Sequence, residues 1–158
     1  MYEVTSNKSS EKVNAAEVET LAAAGQFSVF AIRVWSSAAK QRMQIDHALG
    51  RFFNDFRCGP ALQLFDECMS LLAASATRKV EIGCCPSNMY VVADENIPLN
   101  CFAALERENT STAEGIIGEV INSRLTKAFC RSAKLYVQHL SKAGLGFMRP
   151  VNLSVVNK

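Results

Sequence analysis

The residues best suited to chemistry sit in the stretch EIGCCPSN, residues 81–88, where Cys84 and Cys85 are neighbours. A disulfide between them is disfavoured, because adjacent Cα atoms lie ~3.8 Å apart and bridged cysteines need ~4.4 Å or more. Zinc is the next reading. A structural zinc ion takes four Cys or His ligands, commonly as Cys-x-x-Cys pairs, and this chain has no such pair. Adjacent residues in an extended segment point to opposite sides, so one of the two thiols at most would face a given ion. The other ligands would come from Cys58, Cys68, Cys101, His47 or His139, none of which has finger-like spacing. The simplest expectation is a turn with one thiol inward, where Cys68, Cys101 and that thiol serve as small apolar core residues. No cofactor is expected, and zinc at Cys84 and Cys85 is kept as the alternative.

Enzyme chemistry finds less support. The Cys-x-x-Cys of a thioredoxin-like site, the Walker loop, the Rossmann glycines, the nucleophile elbow and the His-Glu-x-x-His motif are all missing. His47 and His139 fall on predicted helices without a partner motif, so each reads as a solvated or satisfied histidine. Asp66-Glu67 and Asp94-Glu95 are adjacent in sequence, which does not aim both carboxylates at one atom. Asp94-Glu95 instead suits the positive end of the helix that follows.

The second group is basic. Residues 1–119 hold ten Lys/Arg against fifteen Asp/Glu, whereas residues 120–158 hold seven Lys/Arg and no acid. Arg124, Lys127, Arg131 and Lys134 recur at steps of three, four and three, which gathers them along one side of a helix. Such a face attracts an anionic partner: an acidic protein, nucleic acid, or the acidic body of the same chain, including Glu106, Glu108, Glu114 and Glu119. Nucleic acid is disfavoured, since no aromatic interleaving or helix-turn-helix signature accompanies the charges.

The elements that must position these groups follow from apolar spacing. Phe27, Phe30, Ala31, Val34, Trp35 and Ala38 form one helical stripe, and Ile45, Ala48, Leu49, Phe52, Phe53 and Phe56 form another. The stripes are nearly in phase, which also fits one long helix. Gln41 and Arg42 on the apolar face, with Asp46 as N-cap, favour two. A third helix follows Gly59-Pro60 and buries Leu62, Phe65, Cys68, Met69 and Leu72. Alternation at residues 79–82 and strand formers at 89–92 flank GCCPSN, so a minor β-hairpin is predicted near residues 79–92. A fourth helix over residues 97–108 carries Cys101, Phe102 and Leu105 inward. Ser111 and Glu114 read as the capping box of a fifth. The sixth, residues 126–143, buries Phe129, Ala133, Tyr136 and Leu140, and Gly144 ends it.

The expected architecture is therefore all-α: a single-domain bundle of five to six helices over residues 15–146. A polar, disordered segment precedes it at 1–14, and a tail or docking strand follows at 147–158. Its apolar runs are too short and interrupted to span a membrane. The start lacks the form of a secretory leader, so six cysteines read as reduced thiols in the cytoplasm. Sequons at Asn7, Asn109 and Asn152 then have no use.

Arg78-Lys-Val-Glu-Ile-Gly-Cys-Cys-Pro86, followed by Met89 and Asp94-Glu95, resembles small proteobacterial helical proteins grouped as a family of unknown function. The resemblance spans residues 27–145 and departs at Pro98 and in the long tail. It implies a helical fold and a cytoplasmic setting, and supplies no activity or site residues. The function expected first is a non-catalytic protein-interaction or regulatory module that pairs with a protein partner or with itself. An exposed Trp35 or Phe-rich patch on the first two helices would favour self-association. A metal-binding or nucleic-acid-associated regulator comes second, and a thiol-dependent enzyme third.

Overall fold

Apolar residues at helical spacing become six helices in the computed structural model, which describes residues 16–148. These are α1 (Ala23–Lys40), α2 (Ile45–Asp55), α3 (Ala61–Ser75), α4 (Asn96–Glu106), α5 (Thr110–Ile117) and α6 (Thr126–Lys142). Short 3₁₀ turns at Val18–Thr20, Ala93–Glu95 and Ser123–Leu125 lead into α1, α4 and α6. The all-α single-domain bundle is the observed architecture. Residues 1–15 and 149–158, with the polar segment and most of the tail expected there, lie outside the described residues.

The core is built mainly where α6 packs against α3 and α4, with α5 closing on α4. The inward residues of α3 and α6 include all those expected, Leu62, Phe65, Cys68, Met69 and Leu72 on one and Phe129, Ala133, Tyr136 and Leu140 on the other, and Ala61, Cys130 and Val137 are buried as well. Tyr136 is fully buried and its hydroxyl shares a 2.8 Å hydrogen bond with Ser28 of α1. Burial pushes its phenol well above the ordinary tyrosine range.

Helix α1 behaves differently from its predicted stripe. Ser28, Val29, Ile32 and Arg33 are buried along with Phe27 and Ala31, so burial runs around the helix. Phe30, Val34 and Trp35 are only half-buried as a result. On α2, Leu49 and Phe53 are buried, whereas Phe56, just past its end, is 45% exposed. A helix enclosed on most sides turns part of its apolar stripe outward.

Four helices end in the same way. Arg42, Arg57, Glu108 and Gly144 have φ of 55°, 61°, 59° and 85°, and follow α1, α2, α4 and α6. In each case the next N–H closes back on the last turn: Met43 to Ala38, Cys58 to Phe53, Asn109 to Ala104 and Leu145 to Leu140. Left-handed backbone costs an L residue roughly 1–2 kcal/mol, and here it recovers otherwise unpaired carbonyls. Two caps differ from expectation. Helix α2 begins at Ile45 after Gln44, with Asp46 inside its first turn. Helix α5 is capped by Asn109, whose side chain accepts from the Thr112 N–H, so Ser111 and Glu114 do not form the predicted box.

The hairpin does not form. Among the described residues there is no strand, only isolated bridges joining Glu17 to Tyr90 and Ala76 to Ile121. Val18 donates to the Met89 carbonyl at 2.7 Å and Val91 to that of Ala16 at 2.8 Å, so the approach to α1 takes the pairing positions. Among the described residues no helix is long and apolar enough to cross a membrane.

Candidate functional site

Residues 83–92 form a loop held from beneath by two buried charges. Arg33 of α1 is 2% exposed and Glu95, just before α4, is 0% exposed. Their ion pair is bidentate, Nε to Oε2 at 2.8 Å and Nη2 to Oε1 at 2.9 Å. The remaining Arg33 donors reach the loop carbonyls of Asn88 at 2.6 Å, Tyr90 at 2.7 Å and, more distantly, Pro86 at 3.5 Å. Glu95 in turn accepts the N–H groups of Gly83 at 3.1 Å and Val92 at 2.8 Å. Burying two charges is costly, and planar geometry with every donor engaged is what offsets it. Gly83 lies flat on the guanidinium, where a Cβ would come within 2.7 Å of Arg33 Nε. Glycine is needed there for close approach.

This frame presents both cysteines to solvent. The expectation that one thiol turns inward is corrected: Cys84 and Cys85 are both exposed, and the buried cysteines are Cys58, Cys68, Cys101 and Cys130. The inner side of the loop is taken up by backbone carbonyls meeting Arg33, which leaves the side chains outside. Residues 85–88 make the turn, with the Asn88 N–H donating to the Cys85 carbonyl at 3.1 Å and Pro86 in the second position.

Cys85 Sγ lies 2.8 Å from the Ser87 hydroxyl. That hydroxyl, then the backbone N–H groups of Ser87 and Asn88, and more weakly the Arg33 charge, hold its thiol below the ordinary cysteine range. Burial instead pushes Cys58 up to about 11. Cys101 is raised by its contact with Cys130 and by burial. We expect iodoacetamide to label Cys85 ahead of the four buried cysteines. Its rate should rise through a pH midpoint below that of a free thiol, and Ser87→Ala should move the midpoint upward. A profile unchanged by Ser87→Ala would contradict this assignment.

Among the described residues no third ligand joins the pair. Among the described residues no cluster of three or more His, Cys, Asp or Glu side chains is placed to hold a metal ion. His47 is exposed on α2 and His139 half-buried on α6, and neither hydrogen-bonds to a cysteine. The loop thus presents an exposed Cys85 thiol whose side-chain hydrogen-bond partner among the described residues is Ser87.

The basic residues occupy the outer side of α6 and its approach. Arg124, Lys127, Arg131 and Lys134 are all exposed, and none forms an ion pair within 4.0 Å among the described residues. Of the acids considered as internal partners, Glu106 accepts instead from the Phe147 N–H at 2.8 Å. Leu135, exposed on the same helix, interrupts the basic side with apolar surface.

A third feature is aromatic. Phe27 stacks on Phe52 with ring centroids 4.5 Å apart, and Phe30 meets Phe52 at 4.5 Å. Phe56 closes the group at 5.1 Å from Phe52 and 5.2 Å from Phe27. Phe30, Phe52 and Phe56 carry this cluster to the surface between α1 and α2.

Arg33 and Glu95 are the residues that sequence reasoning missed as a site-building pair. Arg33 interrupted an apolar run and Glu95 read as a helix-start acid. A signal was present, because a charge enclosed by apolar neighbours on a buried helix must find a partner. No family model, curated protein or solved structure matches the chain, and nothing in these comparisons bears on the proteobacterial resemblance.

Proposed function

We propose that this chain is a non-catalytic protein-interaction module that pairs with a second copy of itself through the aromatic surface of α1 and α2. The observation that carries the reading is Phe56, 45% exposed at the edge of a connected group of rings. Aromatic anchors surrounded by polar residues are what association surfaces use.

The identity of the partner rests on charge. Arg51 and Asp55 of α2 each precede one of the rings, Phe52 and Phe56, with side chains 95% and 66% exposed and 3.9 Å apart. A patch carrying both signs one helical turn apart can be self-complementary across a two-fold axis, Arg51 of each copy meeting Asp55 of the other. The free state of all six cysteines fits a reducing compartment, and we place the module in the cytoplasm on that basis.

Sedimentation velocity tests the reading. The native chain should sediment as a dimer, and Phe56→Asp should shift it towards monomer with unchanged helicity. Loss of an aromatic anchor from an interface costs about 2 kcal/mol or more, roughly thirtyfold in Kd. Arg51→Glu should weaken pairing, and adding Asp55→Arg should restore it. A native chain that stays monomeric at every concentration removes the proposal.

A further inference from the structure

A cleft separate from the thiol loop and the aromatic surface opens between α1, the C-terminal half of α3 and residues 76–82. Its volume is about 310 Å³, at the small end of the ~300–1,000 Å³ typical of ligand pockets. Trp35, Met69 and Leu72 form its apolar interior, and Val80 and Ile82 close one side. At its rim stand Arg78 and Lys79, and no carboxylate lines it.

We propose that this cleft binds a small aryl or short-chain carboxylate, its apolar group against Trp35 and its carboxylate at Arg78. Both contacting groups are held in place before any ligand arrives. The Trp35 Nε1–H donates to Asp66 Oδ1 at 2.8 Å, so the ring is fixed and satisfied and offers the ligand apolar surface. Arg78 is oriented by Asp94 through Nη1 and Nη2, each at 3.0 Å, and by the Lys79 carbonyl at 2.9 Å from Nη1. That leaves its Nε–H and the second Nη2–H without a partner among the described residues, on a side chain that lines the cleft. A guanidinium held in this way loses little freedom on meeting a carboxylate.

Nearby acids set the limits of the attraction. Asp94 faces Arg78, the more distant Glu119 charge also acts on it, and Glu81 lies 3.5 Å from the Lys79 ammonium, so the rim carries no net positive charge. Recognition therefore depends on directed hydrogen bonds from Arg78 added to apolar contact. An uncharged analogue should enter the cleft but bind more weakly.

Trp35 is the only tryptophan in the chain, so its fluorescence reports on the site directly. Titration with phenylpropionate should give a saturable change, and phenylpropanol should need at least about tenfold higher concentration. Arg78→Gln should reduce the acid to the level of the alcohol. Ala73→Leu, on an exposed helical position lining the cleft, should abolish both responses while circular dichroism stays native. No saturable response to phenylpropionate, equal affinity for acid and alcohol, or a response that persists in Ala73→Leu would each overturn the assignment.

Discussion

Glu95→Ala is expected to lower the stability of this protein by about 3–5 kcal/mol, read as a fall in the urea midpoint at constant slope. The mutation leaves the Arg33 guanidinium buried, facing three carbonyls and no counter-charge, and deprives the Gly83 and Val92 N–H groups of their acceptor. Glu95→Gln should cost less, because the amide keeps one accepting oxygen. The pairwise character of the effect is testable with Arg33→Met combined with Glu95→Leu. The double variant should be more stable than Glu95→Ala, since removing both charges ends the unpaired burial. The loop should still loosen, because the carbonyls of Asn88 and Tyr90 lose their donor. Faster proteolysis across residues 84–88 would report that loosening. A loss below about 1 kcal/mol for Glu95→Ala would mean that water reaches the pair, contrary to its burial.

Phe102→Ala should cost a comparable amount, about 3–5 kcal/mol, by opening a cavity where the helices converge. Phe102 is 0% exposed, and its ring lies 6.3 Å from Phe129, 5.1 Å from Tyr136 and 5.8 Å from Phe147. Three elements meet on this one side chain: α4, α6 and the chain after α6. Residue 147 was expected to begin a tail or docking strand, and its ring packs on Phe102 while its N–H is held by Glu106. A double-mutant cycle between Phe102→Ala and Phe147→Ala should give a coupling of ~0.5–1.5 kcal/mol. Additive losses would show that the end of the described chain does not bear on the core. By contrast, Phe56→Ala should cost far less folding stability, because its ring is already partly in water.

Much of the bundle was legible in residue order. Helices α3 and α6 were readable down to their inward residues because a single amphipathic stripe faces a single core. Gly144 signalled its stop because glycine is the residue suited to left-handed backbone. The stops at Arg42, Arg57 and Glu108 carry no such signal. There the closing hydrogen bonds recover the strain, and which residue accepts that strain depends on how the next helix must leave.

The sites divide in the same way. Sequence alone established the chemistry on offer: two adjacent thiols beside a proline turn, a basic run at helical spacing, and aromatic residues concentrated in the first two helices. Tertiary structure decided where each would face. It placed α1 inside the bundle, so Phe30 and Phe56 were left at the surface while Arg33 went in. It supplied Glu95 from sixty-two positions away as the counter-charge, and Arg33 then drew the carbonyls of Pro86, Asn88 and Tyr90 inward, leaving Cys84 and Cys85 outside. The physical reason is one of range. Periodicity acts between residues three or four apart, whereas the need to pair a buried charge is met by whichever segment the fold brings within hydrogen-bonding distance.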